Sequence, residues 1–126
     1  MPSKVLIVDD EPHMLRVTEL SLKKGGYAIV IGRNGREALE LAAREQPNLI
    51  VMDVTMPEMD GLTALQLLKA DAATVAIPVI MLTVRGQAMT RQQAEASGAA
   101  LFLTKPFSPS QLLAEAKRLL ESATTS

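Results

Sequence analysis

The chain has 126 residues, 48% of them apolar, which is enough for one hydrophobic core and too few for two comfortable ones. With 13 basic and 14 acidic side chains it carries a net charge of −1, without the basic excess of a nucleic-acid surface. It contains no cysteine for a disulfide framework or thiolate metal site, no apolar run of membrane length and no leader-like charged-then-apolar start, so a soluble cytoplasmic protein is expected.

In chain order, the first element is a short β-branched apolar run at 5–8, the pattern of a strand buried on both faces of a parallel sheet. Asp9-Asp10-Glu11 follows, and Pro12 sits where a first-turn proline is tolerated, opening a helix. Gly25-Gly26 supplies the left-handed stop. A second strand is predicted at 28–31. Asn34 and Glu37 then form a capping box, and Ala38, Leu41 and Ala42 share one helical face. The third strand, 49–52, ends on Asp53. Asp60-Gly61 reads as a turn in which Gly61 takes a positive φ, ahead of a helix with Leu62, Leu65 and Leu68 on one side. The fourth strand, 79–82, ends at Thr83. The polar segment 86–97 makes the weakest of the helices, with little apolar stripe, and Gly98 stops it. A fifth, weaker strand covers 100–103 and runs into Lys105-Pro106. Ser108 and Gln111 cap the last helix, whose stripe is Leu112, Leu113, Ala116, Leu119 and Leu120. A short polar tail, 122–126, closes the chain.

Strand and helix alternate five times, so the expected class is α/β, a five-stranded parallel sheet with helices on both faces. One domain is expected over 1–126, with its core at about 4–120. In such sheets ligands bind outside the carboxyl ends of the strands. Reading off those ends gives Asp9, Asp10, Asp53, Thr83 and Lys105. Three carboxylates brought together repel, and a hard divalent cation removes the conflict; an all-oxygen site suits Mg²⁺ or Mn²⁺ rather than zinc. A magnesium site with few protein ligands leaves positions that phosphate oxygens fill. Lys105 supplies a point charge for a phosphate and Thr83 a hydroxyl that can donate to it. Phosphoryl transfer needs an in-line nucleophile and neutralised charge, and Asp53 is the candidate nucleophile, forming an acyl phosphate.

The segments Val5-Leu-Ile-Val-Asp-Asp-Glu11, Leu49-Ile-Val-Met-Asp-Val-Thr-Met-Pro-Glu-Met-Asp-Gly61, Val79-Ile-Met-Leu-Thr83 and Phe102-Leu-Thr-Lys-Pro-Phe107 together resemble a bacterial response-regulator receiver domain. The resemblance runs from about Lys4 to Leu120. It implies a flavodoxin-like doubly wound (βα)5 fold with strand order 2-1-3-4-5. It implies that Asp53 accepts phosphate from a histidine kinase or histidine phosphotransfer protein. Asp10, Asp53 and the carbonyl of Thr55 would ligate Mg²⁺, and Asp9 would act mainly through a water. Lys105 would bridge to the phosphoryl group. Thr83 and Phe102 would switch in concert, changing the face made by the fourth helix, fifth strand and fifth helix. That face would engage a downstream protein target, as a monomer or a phosphorylation-dependent dimer. The Lys105–Pro106 peptide would be cis, which X-Pro bonds adopt readily. Thr55 and Arg85, each two residues beyond a site residue, would tune the lifetime of the phosphorylated form, and 86–97 would rearrange.

Taken singly, these residues have plainer roles. Asp9 and Asp10 also suit a helix start, Phe102 suits core packing, and the sole histidine, His13, is assigned no chemistry. Competing functions fit less well. An aspartyl phosphatase of this sheet type carries Asp-x-Asp, whereas Asp53 is followed by Val54 and Thr55. A nucleotide-binding module needs a glycine-rich turn where Asp9-Asp10-Glu11 stands. The remaining alternative is the input domain of a larger DNA-binding or enzymatic regulator. In either case the chain is expected to catalyse only its own phosphorylation and dephosphorylation, without binding nucleic acid or membrane itself.

Overall fold

The computed structural model describes residues 3–54, 56, 59–84, 96–105 and 107–124. Chain order is β1 (Lys4–Val8), α1 (Pro12–Lys23), β2 (Ala28–Gly32), α2 (Gly35–Glu45), β3 (Leu49–Asp53), α3 (Gly61–Ala70), β4 (Val79–Val84), β5 (Leu101–Lys105) and α4 (Pro109–Thr124). The five strands are parallel, in the order β2-β1-β3-β4-β5. The stretch read as the weakest helix falls largely outside the described residues, as do Thr55, Arg85 and Pro106.

Alternation along each strand sends side chains to two cores, because successive Cβ atoms point to opposite faces. Leu6, Val8, Ile50, Met52, Val79 and Met81 meet Ala38 and Ala42 of α2 and Ala64, Leu65 and Leu68 of α3. Val5, Ile7, Leu49, Val51, Ile80, Leu82 and Leu103 meet Leu15 and Leu22 of α1 and Leu112, Ala116 and Leu120 of α4. Strands β1 and β3 are buried almost throughout. The edge strand β2 is half-exposed along most of its length, which its apolar sequence did not distinguish from a central strand.

The helix punctuation follows side-chain chemistry. Asn34 accepts from the Glu37 N–H at 2.9 Å while the Glu37 carboxylate accepts from the Arg33 N–H at 3.1 Å. Asp60 caps α3 through the Thr63 N–H at 2.8 Å. Gly26 and Gly98 adopt φ of +82° and +88°, as their positions after helices require. Gly61 does not: among the described residues only those two glycines have positive φ, so its expected left-handed turn is corrected. The physical reason for a glycine there is a close backbone approach. A left-handed stop also occurs without glycine, at Gln46 (φ 46°), whose side-chain amide donates to the Ala42 and Ala43 carbonyls.

α1 buries two hydroxyls with different fates. Ser21 donates to the Val17 carbonyl at 2.8 Å, whereas the buried Thr18 hydroxyl has no partner among the described residues. An unsatisfied buried hydroxyl is costly, so Thr18→Val is expected to stabilise the fold by about 1 kcal/mol. Urea unfolding midpoints measure this; a lower midpoint in the valine variant would show that the hydroxyl is satisfied in solution.

Candidate functional site

The site forms at the carboxyl ends of the neighbouring strands β1 and β3, with β5 contributing from beyond β4. Asp9 follows β1, its N–H donating to the Gly32 carbonyl at 3.2 Å. Its carboxylate has two engagements: Oδ1 accepts from the Glu11 N–H at 3.0 Å, and Oδ2 accepts from Lys105 Nζ at 3.1 Å. The first of these turns the chain into α1, so the helix-start role of Asp9 and its place in the site coexist. Asp10 is exposed. Asp53 is the last residue of β3 and 6% exposed; Asp9 is 1% exposed. One carboxylate oxygen from each of Asp9, Asp10 and Asp53 lies within 4.8 Å of the others.

Lys105, the last residue of β5, reaches over β4 into this cluster. Its ammonium stands 3.1 Å from Asp9 Oδ2 and 3.3 Å from Asp53 Oδ1, with the side chain only 12% exposed. Burial alone would pull the lysine pKa down. The hydrogen bond to Asp9 and the negative charges of Asp9 and Asp53 outweigh it and hold the pKa above the ordinary value. Three carboxylates and one ammonium still leave an excess of negative charge among oxygen donors, two of them on buried residues. That donor set fits a hard divalent cation.

Thr83 is half-buried in β4, in register with Thr104 and one position before the Val84–Lys105 pair. Phe102 is half-buried and packs against the core beneath α2 and α3, so its packing role is present whatever else it does. The structure thus brings together Asp9, Asp10, Asp53 and Lys105. Sequence reasoning placed Lys105 toward a phosphate and missed its pairing with Asp9, which is nearly the whole chain away.

The sequence and the fold match known proteins. Residues 5–117 match the response regulator receiver domain family. The DNA-binding dual master transcriptional regulator RpaA of Synechocystis is 38% identical over 93% of this chain and 48% of its own length. The alkaline phosphatase synthesis transcriptional regulatory protein PhoP of Bacillus subtilis is 34% identical over 95% of this chain and 49% of its own. Among solved structures, a putative response regulator from Chloroflexus aurantiacus superimposes with a TM-score of 0.89 at 31% identity, covering 96% of this chain and 99% of its own. The chemotaxis response regulator CheY4 of Vibrio cholerae gives 0.86 at 32%, covering 94% and 99%. The chain belongs to the response regulator receiver domain family. It spans about half the length of the curated relatives named here.

Proposed function

We propose that the protein is a phosphoacceptor: Asp53 takes a phosphoryl group from a phosphohistidine of a partner kinase or phosphotransfer protein and holds it as a reversible signal. The observation that carries this reading is the Lys105 ammonium 3.3 Å from Asp53 Oδ1, beside a cluster of carboxylates at one sheet edge. In the transfer, an Asp53 carboxylate oxygen attacks phosphorus in line, the bond from phosphorus to the donor nitrogen breaks, and the imidazole takes up a proton. Lys105 neutralises charge on the transferred group, and the Thr83 hydroxyl donates to one of its oxygens. Asp10, Asp53 and, less directly, Asp9 would hold Mg²⁺, which supplies further charge neutralisation. Phe102 follows Thr83 in changing the surface around β5 that a downstream protein reads. Thr55 and Arg85 set how long the phosphoryl group survives.

The test is phosphoryl uptake from acetyl phosphate with Mg²⁺, followed by intact mass and by borohydride reduction of the acyl phosphate to homoserine. Uptake of one phosphoryl group, with homoserine at position 53, is expected. Homoserine elsewhere, or no uptake, would sink the reading. The curated relatives named above are transcriptional regulators of about twice this length, which favours a second reading in which the receiver governs a DNA-binding output. Fusion to such an output, with operator affinity measured before and after phosphorylation, distinguishes the two.

A further inference from the structure

α3 begins on Gly61, against the end of the strand that carries Asp53. The Gly61 N–H donates to the Val54 carbonyl at 2.7 Å, so the start of α3 touches the residue that follows β3. The backbones pass so closely that a Cβ on Gly61 would overlap the Asp53 carbonyl oxygen, and would lie 3.0 Å from that carbonyl's carbon and 2.9 Å from Met81 Cε. A second glycine makes a close approach to Met59, two residues before Gly61. At Gly35, the first residue of α2, a Cβ would lie 2.7 Å from the Met59 carbonyl oxygen and 3.0 Å from Met59 Cβ.

We propose that Gly61 is a positioning residue for the phosphoacceptor, fixing the Asp53 carboxylate by letting the helix start rest directly on Asp53's own peptide, with Gly35 bracing the approach to α3 at Met59. This rests on the reading of Asp53 as the phosphoacceptor. The atoms that a Cβ would meet at Gly61 are mainly backbone, so no rotamer change relieves the contact. Neither body can retreat cheaply. β3 is paired on both sides, and α3 is anchored by the Asp60 cap and by buried Ala64, Leu65 and Leu68. The strain falls on the Asp53–Val54 peptide, whose N–H donates to the Leu82 carbonyl at 2.9 Å, and its rotation would break that bond and carry the Asp53 carboxylate away from Lys105. A displacement of about 1 Å in a reacting group costs about a hundredfold in rate.

The experiment compares phosphoryl uptake from acetyl phosphate, over a Mg²⁺ titration carried to saturation, in wild type, Gly61→Ala, Gly26→Ala and Asp53→Asn. Gly26 is a control for plain destabilisation: its φ is +82°, so alanine strains it, yet a Cβ there meets nothing within 4 Å. Gly61→Ala is expected to lower the uptake rate constant about a hundredfold and to raise the Mg²⁺ concentration for half-maximal rate. Gly26→Ala should keep the wild-type rate despite a lower melting temperature. Wild-type kinetics in Gly61→Ala overturn the positioning role. If Gly61→Ala shows no cooperative unfolding, Gly35→Ala decides: a rate lowered about tenfold supports the proposal, and an unchanged one overturns it. Labelling of Asp53→Asn at the wild-type level overturns the phosphoacceptor reading, and this inference with it.

Discussion

Asp53→Asn is expected to abolish phosphoryl uptake and Lys105→Met to slow it severely, while only Lys105→Met lowers the stability of the metal-free protein. Asp53→Asn removes the nucleophile and abolishes uptake. Lys105→Met removes the cation facing the transferred group, which costs at least about a hundredfold in rate. Their effects on folding follow from the charges. Lys105 holds two carboxylate oxygens at 3.1 and 3.3 Å, each contact worth about 5 kcal/mol gross at an effective dielectric of about 20. Burial of the ammonium offsets much of that, but removing one partner leaves buried carboxylates uncompensated, a net loss of about 3 kcal/mol. Asp53→Asn gives up only one of those attractions and relieves repulsions from Asp9 and Asp10 at separations within 4.8 Å, each at least about 3.5 kcal/mol on the same scale. Solvent at the exposed Asp10 weakens its share. Asparagine at 53 should therefore leave stability no lower than wild type. Urea unfolding in EDTA measures both; a Lys105→Met variant as stable as Asp53→Asn would refute the charge argument.

The same pair dictates a pH dependence. The folded-state pKa of Lys105 is raised above 10.5, so the stability it lends is complete below the ordinary lysine value. It is lost as pH rises through the higher folded-state value. The informative quantity is the difference between wild type and Lys105→Met, which isolates this one ammonium. That difference is expected to be flat through neutral pH and to shrink only above 10.5. A difference that shrinks between neutrality and that point would mean that Lys105 is not held by its carboxylates.

Much of this arrangement was legible in the residues because burial and periodicity are local signals. The runs behind β1, β3 and β4 are apolar at consecutive positions, which only a strand covered on both faces requires, and the two cores confirm that demand residue by residue. Strand order was not local information. It came from family resemblance, because nothing in an apolar run says which neighbour it pairs with, and edge strand β2 reads like a central one. Asp53 stood out as a charge ending a buried strand. The division of labour between Asp9 and Asp10 came only from the family resemblance, since two identical neighbours differ only in where the turn after β1 points them. Gly61 was read as a turn glycine, whereas its reason for being glycine is the Asp53 carbonyl, a contact visible only once α3 is packed. The stop at Gln46 was unreadable for a related reason: its side chain compensates a left-handed backbone by capping two carbonyls.

Mg²⁺ is expected to stabilise the wild-type protein, and the carboxylates should differ in how much of that effect each supports. Three carboxylates against one ammonium leave two negative charges, which one divalent cation would balance. At about a hundredfold excess over Kd, binding to the folded state alone adds about 2.7 kcal/mol, or about 10 °C in melting temperature for a chain of this size. Both Asp9 carboxylate oxygens are already engaged, one by the Glu11 N–H and one by Lys105. Asp10 is exposed at the same cluster, so it is the residue better placed to meet an incoming cation. Asp10→Asn should therefore remove most of the Mg²⁺ shift while changing metal-free stability little. Asp9→Asn should keep more of the shift, because the Asp9 oxygens are already held by the Glu11 N–H and Lys105. Thermal unfolding with Mg²⁺ and with EDTA separates the two variants. An Asp10→Asn protein that gains as much from Mg²⁺ as wild type would move the cation to other ligands.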